Sequence, residues 1–153
     1  MKNKSLKDWI FVLVQIIFFI LYTLNFSFIE WKIDSDFKIL MQLISAMGFL
    51  ITILAILSMD NLVSPFPSPK KNMQLKTTGI YAFARHPIYS GILIVLYAWG
   101  IAYASEYKIL IAILFHVFIF TKAKYEEKLL QNKFKHYKNY QLKTGMFFPK
   151  LFK

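Results

Sequence analysis

The sequence contains no cysteine, and only 8 of its 153 residues are acidic. The missing thiols exclude a disulfide scaffold, a zinc site with thiolate ligands and a cysteine nucleophile. Charged residues make up 18% of the chain, whereas a soluble domain usually contains about a quarter. Intrinsic disorder is also excluded, because aromatic residues account for 18% of the chain and disordered chains are poor in them.

Basic residues, by contrast, are abundant. Lysine and arginine together number 19, which gives a formal net charge of +11, and 57% of the residues are hydrophobic. This combination is typical of a nucleic-acid-binding protein or of an integral membrane protein whose cations lie on one side. Long uncharged runs favour the membrane protein, with no nucleic acid as a partner.

Four charge-poor segments predict helices that cross a membrane, at residues 9–28, 39–59, 87–104 and 107–121. The first is uncharged over twenty residues, which span about 30 Å as a helix, the thickness of a bilayer core. Because it does not end in small residues, we expect an uncleaved span and not a signal peptide. The fourth crosses only if its helix continues at both ends, with the flanking lysines snorkelling to the surface.

The distribution of basic residues predicts the orientation of these four helices. Sixteen of the nineteen lie in the N-terminal segment, the loop 60–86 and the tail 122–153. The positive-inside rule therefore places both termini and this loop in the cytoplasm. The sequence predicts a single all-α integral membrane domain with about four transmembrane helices, the last two joined as a tight hairpin at residues 105–108.

Two further patterns concern the cytoplasmic side and the apolar runs. In the tail, Leu130, Phe134 and Tyr137 share one helical face, which predicts an amphipathic helix continuing from the fourth span. The alternating prolines of residues 64–69 predict a stiff, extended strap. Polar side chains within the apolar runs are interpreted as interhelical hydrogen-bonding groups. These are Gln15, Gln42 and His116.

The clearest candidate site is the sequence Arg-His-Pro-x-Tyr-x-Gly at residues 85–91. Pro87 suits the first position of the third helix, where a missing N–H costs nothing. Arg85 and His86 then lie at the helix N-terminus, where free N–H groups and the helix dipole favour an anion. Gly91 permits the close approach of a backbone or a ligand.

A second cluster, Glu126 and Glu127, contains the only acids of the tail. Pairing with neighbouring lysines would explain them locally. The predicted hairpin, however, returns the chain to the membrane face it left, so we expect both carboxylates to approach Arg85 and His86. Converging opposite charges suit a zwitterionic ligand. No metal site is expected, because the three histidines lack ligand spacing.

These motifs resemble those of the isoprenylcysteine carboxyl methyltransferase family, and the related phospholipid methyltransferases share a similar C-terminal pattern. The resemblance covers Gly79-x-Tyr81-x-x-x-Arg85-His86-Pro87-x-Tyr89-x-Gly91 and then Glu126-Glu127-x-x-Leu130-x-x-x-Phe134. It implies S-adenosylmethionine as the cofactor, and Arg85 and Glu126 as the catalytic residues, with Arg85 orienting a carboxylate. The cofactor-binding residues implied are Tyr81, His86, Pro87, Tyr89, Gly91, Glu126 and Glu127. The glycine that usually follows Phe134 is missing, which leaves the local helix ending open.

The resemblance further implies a lipophilic or lipid-linked acceptor, foremost a carboxylate such as an isoprenylated cysteine. An ionised carboxylate needs only to be placed in line with the methyl group. One alternative is an amine of a phospholipid or small lipid, for which Glu126 or Glu127 is a candidate base. Another is a non-catalytic scaffold with a lipid-binding basic tail. Membrane sterol reductases share part of the motif, but they are longer and carry cysteines in the tail.

Overall fold

The computed structural model describes residues 4–26, 32–59 and 63–150. Within these ranges the chain forms five α-helices, one short 3-10 helix at Gly79–Ala82 and no strand, in agreement with the predicted helical class. The helices are α1 (Leu6–Thr23), α2 (Ser35–Leu57), α3 (Pro87–Ala102), α4 (Glu106–Lys133) and α5 (Tyr137–Lys143). Parts of the predicted first span (27–28), loop (60–62) and tail (151–153) lie outside the described residues.

Local capping determines where these helices begin. Ser5 and Asp8 form a capping box at the start of α1, and the Asp34 side chain accepts from two backbone N–H groups of α2. Pro87 occupies the first turn of α3, as predicted. Ser105 caps α4 by accepting from the Lys108 backbone N–H, so the expected turn at residues 105–108 is instead the cap and first turn of this helix.

Two of the described helices, α1 and α2, are long and apolar enough to cross a membrane. Their 18 and 23 residues correspond to about 27 and 34 Å at ~1.5 Å per residue. Most of their large apolar side chains are exposed, as lipid-facing side chains are. The apolar helix α3 has 16 residues, and the apolar segment of α4 is followed by a charged one.

Helices α2 and α3 pack with their backbones in close contact at two glycines. A Cβ atom at Gly91 would lie 2.2 Å from Thr52 Oγ1 and 2.5 Å from the Gly48 carbonyl oxygen. A Cβ atom at Gly48 would in turn lie 2.8 Å from a side-chain carbon of Ile94. Small residues at such a crossing allow the interaxial distance to shrink, as is common between membrane helices.

Helix α4 packs against both α3 and α1. Its contacts with α3 run in opposite order along the two helices. Gly100 near the end of α3 lies beside Ile109 near the start of α4, and Tyr89 near the start of α3 lies beside Glu126. The apolar core between them combines residues of α3 and α4 with the C-terminal Phe147. On the other side, Phe18 of α1 stacks edge-on against Phe115 at 5.6 Å between ring centroids.

The polar residues within the apolar runs form interhelical hydrogen bonds, which confirms that prediction. The pairs are Gln15 Oε1 with Lys122 Nζ (2.6 Å), Gln42 Nε2 with the Tyr103 hydroxyl at the end of α3 (3.4 Å), and His116 Nδ1 with the Tyr97 hydroxyl (3.2 Å). Each pair joins two elements of the helical bundle.

The tail departs from the single amphipathic helix predicted for it. Helix α4 ends at Lys133, Phe134 adopts an extended conformation (φ −121°, ψ 111°), and α5 begins at Tyr137. The expected stripe through Leu130 is therefore interrupted. Because Phe134 has a negative φ, the helix ends here without the glycine that is usual at this position. The short α5 instead packs against the 3-10 helix of the loop 60–86, where the Tyr140 hydroxyl donates to the Tyr81 carbonyl. Tyr137 and Tyr140 are both buried.

Candidate functional site

A cavity of about 300 Å³ lies between the proline strap, the start of α3 and the second half of α4. Six of the residues predicted for the site line it: Tyr81, Arg85, His86, Pro87, Tyr89 and Glu126. Two others do not. Gly91 faces the backbone of α2, and Glu127 lies behind Arg85. A volume of this size is at the lower end of small-molecule sites, for which about 300–1,000 Å³ is usual.

The predicted approach of the two acids to Arg85 and His86 is confirmed. Glu127 Oε1 accepts from Arg85 Nε at 2.7 Å and lies 3.3 Å from His86 Nε2. Glu126 Oε2 lies 3.5 Å from His86 Nδ1, on the other side of the imidazole ring. The imidazole thus lies between two carboxylates, at the base of the cavity.

The guanidinium of Arg85 is largely committed within the protein. Besides Glu127, it donates from Nη1 to the backbone carbonyls of Gln141, at 3.3 Å, and Thr144. The side chain is 10% exposed. In this arrangement Arg85 holds the end of α5 against α4. Its predicted second role, orienting a carboxylate of a ligand, stays a prediction.

The two adjacent glutamates have opposite pKa shifts. Burial acts to raise the pKa of Glu127, but hydrogen bonds and charges from His86 and Arg85 outweigh it and lower the pKa to about 2. Burial raises the pKa of Glu126 above its usual value, although His86 and the Tyr89 hydroxyl bond act against this. Glu127 is therefore an anion at neutral pH, whereas burial makes the charged form of Glu126 less favourable than that of an exposed glutamate.

The aromatic wall of the cavity is formed by side chains that hydrogen bonds fix in place. Tyr89 stacks on His86, with 5.5 Å between ring centroids and 9° between planes, and its hydroxyl donates to Glu126. The Tyr81 hydroxyl donates to the Ala55 carbonyl at 3.3 Å, while its own carbonyl accepts from Tyr140. Both tyrosine rings line the cavity, and the Tyr89 ring already has the Lys122 ammonium 5.4 Å from its centroid.

The segment after α5 returns to the start of α3, and the sequence patterns did not indicate this. The backbone N–H groups of Arg85 and His86 donate to the carbonyls of Gly145 (2.9 Å) and Met146 (3.0 Å). The Ser90 hydroxyl donates to the Phe147 carbonyl at 2.5 Å. A Cβ atom at Gly145 would lie 1.9 Å from the Phe148 carbonyl oxygen, so glycine is required here.

The proline strap closes the other side of the cavity, held by α1 and α4. Asp8 Oδ2 accepts from the Ser68 hydroxyl at 2.7 Å, and Lys122 Nζ donates to the Pro65 carbonyl at 2.9 Å. Lys122 is 1% exposed, so its side chain points inward. The prediction that this lysine snorkels to the membrane surface is therefore wrong. The sequence signal that indicated its place in the site is the spacing of one helical turn to Glu126, which puts both side chains on one helix face.

Residues 37–137 match the family model described as phospholipid methyltransferase. The matched range covers two thirds of the chain and includes Arg85, His86, Glu126 and Glu127, whereas their partners Gln141 and Thr144 follow it. The chain belongs to this family. Its membership confirms the resemblance indicated by the motifs and, with the two long apolar helices, indicates a membrane methyltransferase. The comparison with curated proteins gives no match.

Proposed function

We propose that this family member is an integral membrane enzyme that transfers a methyl group from S-adenosylmethionine to a lipophilic acceptor. The observation that carries the proposal is the cavity itself, in which a largely buried carboxylate, an imidazole and two tyrosine rings converge beside apolar walls. Such a mixture suits a ligand that is partly charged and partly apolar.

We further propose four membrane crossings with both termini in the cytoplasm. Three segments assigned to that side are in contact in the structure. Lys4 Nζ donates to the Ser68 carbonyl at 2.9 Å, and Lys133 Nζ donates to the Lys71 carbonyl at 3.0 Å. The N-terminal segment, the loop and the tail therefore lie at one end of the molecule, as an even number of crossings requires.

The residues present fit the proposed methyl donor. Glu126 and His86 offer polar atoms for its amine and hydroxyl groups, and Tyr81 offers an aromatic ring for its sulfonium cation. Pro87 forms part of the apolar wall. When bound, S-adenosylmethionine supplies an electrophilic methyl group. The protein's own contribution is then to orient the acceptor and to exclude water, since an orienting site alone can supply much of the acceleration.

The acceptor we favour is a carboxylate such as that of an isoprenylated cysteine, because an ionised carboxylate needs no base at neutral pH. One observation favours an amine acceptor as the alternative. Glu126 is a buried carboxyl with a raised pKa that lines the cavity, which suits it to accept a proton from an amine. A scaffold without catalytic activity is the outcome to be expected if no methyl donor binds.

The test is a calorimetric titration of the purified full-length protein in detergent with S-adenosylmethionine, which measures the dissociation constant. Glu126→Ala should weaken binding by roughly tenfold or more, because it removes a charge-assisted hydrogen-bond acceptor worth about 1.5–3 kcal/mol. The exposed Lys128→Ala, two residues along the same helix, is the matched control and should bind as the wild type does. No binding to the wild type at millimolar donor would refute the proposal.

The acceptor class is resolved by a second assay with labelled methyl donor. A farnesylcysteine analogue and a long-chain amine are offered separately, and the product is treated with mild base. A methyl ester releases its label under base, whereas an N-methyl product retains it. Methylation of the amine alone would refute the carboxylate acceptor and support Glu126 as the proton acceptor.

A further inference from the structure

Lys122 is a buried cation whose hydrogen-bond partners are all neutral. Its ammonium donates to Gln15 Oε1 at 2.6 Å and to the Pro65 carbonyl at 2.9 Å, and it lies 5.4 Å from the centroid of the Tyr89 ring. Glu126 attracts it electrostatically, but no carboxylate of the described residues lies within 4.0 Å of it. A buried charge without an ionic partner is costly unless another anion compensates it.

The charges lining the cavity also favour the binding of an anion near Lys122. The described lining residues include four that carry a positive charge and one carboxylate, and Glu127 behind Arg85 offsets one of the four. The positive residues are Lys70, Lys76, Arg85 and Lys122. The one carboxylate, Glu126, already accepts from the Tyr89 hydroxyl and lies beside His86. An additional cation in this cavity, such as a sulfonium, therefore favours the simultaneous binding of an anion.

Arg85 is poorly placed to bind that anion. Its Nε and Nη1 atoms donate to Glu127 and to two backbone carbonyls. Lys122 also lines the cavity, where it is held by Gln15 of α1 and Pro65 of the strap. A lysine ammonium has three rotatable donors, so it can exchange a neutral acceptor such as the Pro65 carbonyl for an anion without leaving its position.

We propose that Lys122 binds the anionic group of the methyl acceptor, a carboxylate or a phosphate, inside the cavity. This inference rests on the proposed function and assigns to Lys122 the role that the motif alone suggested for Arg85. Ile56 and Ile92 also line the cavity and provide apolar surface for the lipophilic part of the acceptor. The enzyme then selects acceptors that combine an apolar tail with a negative charge.

The test measures binding of matched anionic and neutral probes to the full-length protein in detergent, in the presence of saturating S-adenosylmethionine. The carboxylate pair is N-acetyl-S-farnesylcysteine and its carboxamide, and the phosphate pair is farnesyl phosphate and farnesol. Lys122→Met should weaken one or both anionic probes at least tenfold and leave the neutral ones within about threefold. Lys122→Arg should restore most of the anionic binding. The exposed Lys124→Met is the matched control.

Three results separate this inference from the proposed function. If the wild type binds S-adenosylmethionine but Lys122→Met binds the anionic probes as tightly as the wild type, this inference alone is overturned. Equal weakening of anionic and neutral probes also overturns it, because that pattern indicates a structural role. If the wild type does not bind S-adenosylmethionine, both proposals fail. If Lys122→Met does not bind S-adenosylmethionine although the wild type does, Lys122→Gln replaces it in the same test. The glutamine side chain retains hydrogen-bonding capacity toward Gln15 and Pro65 and so preserves the fold around it.

Discussion

Replacement of Glu127 by glutamine tests whether this carboxylate is the electrostatic centre that holds the tail to the site. Glu127 is 6% exposed and accepts from Arg85 Nε (2.7 Å) and Gln141 Nε2 (2.7 Å), with His86 Nε2 at 3.3 Å. The glutamine variant keeps the shape and removes the charge. The guanidinium of Arg85 is then left buried beside a neutral group, which is costly.

The size of the effect follows from the pKa of Glu127. A shift from the ordinary value of 4.5 to about 2 corresponds to about 3 kcal/mol of stability at neutral pH, at 1.36 kcal/mol per unit. Because the pKa in the folded state is lowered, this contribution is complete above pH 4.5 and is lost as the pH falls toward 2. At pH 3 less than half of it remains.

The assay is thermal unfolding of the purified protein in detergent at pH 7 and at pH 3. Glu127→Gln should lower the unfolding temperature by about 6–12 °C at pH 7, and by less than half of that at pH 3. The neighbouring Glu126→Gln is the matched control. Because burial raises the pKa of Glu126, losing its charge should leave the unfolding temperature equal to or above that of the wild type. A decrease in unfolding temperature of less than 2 °C at pH 7, or a decrease at pH 3 as large as the one at pH 7, would refute the reasoning.

Three further substitutions probe the packing around the site by the same unfolding measurement. Gly91→Ala should cost about 1–3 kcal/mol or more, because its Cβ meets Thr52 Oγ1 and the backbone of α2; an unchanged unfolding temperature would contradict the close crossing. Gly145→Ala should cost at least as much and also weaken donor binding, because the return segment that fixes Arg85 and His86 must shift. Gln141→Ala should cost about 1.5–3 kcal/mol for its bond to a charged acceptor, and retention of full stability would show that Glu127 does not depend on it.

Much of the site could be predicted from the sequence because its residues lie at the ends of two helices that are close in the chain. Three residues separate α3 from α4, so the ends of these helices that are distant from the connection lie near each other. That proximity was enough to expect Glu126 and Glu127 beside Arg85 and His86. Helix positions were also predictable, since long apolar runs leave few alternatives to a helix.

The rest of the site depends on contacts that no local pattern encodes. The return of Gly145 to the start of α3 joins backbone groups, and hydrogen bonds between backbone atoms carry no residue-specific signal. Gln141 is similar, because a glutamine in a polar tail has many possible partners. Lys122 lies at the end of an apolar run, where the charge of a lysine usually reaches water. Its burial depends on α1 and the strap, which are distant in sequence.

The division of roles between the two glutamates is a consequence of helix geometry. Consecutive residues on an α-helix point about 100° apart, since 3.6 residues make one turn. With Glu127 directed at Arg85 and Gln141, the side chain of Glu126 is turned toward Tyr89 and the cavity. The lowered pKa of Glu127 and the raised pKa of Glu126 then follow from what each side chain faces. Glu127 holds the tail segment to the start of α3, whereas Glu126 lines the cavity, so each of the two adjacent acids has its own set of partners.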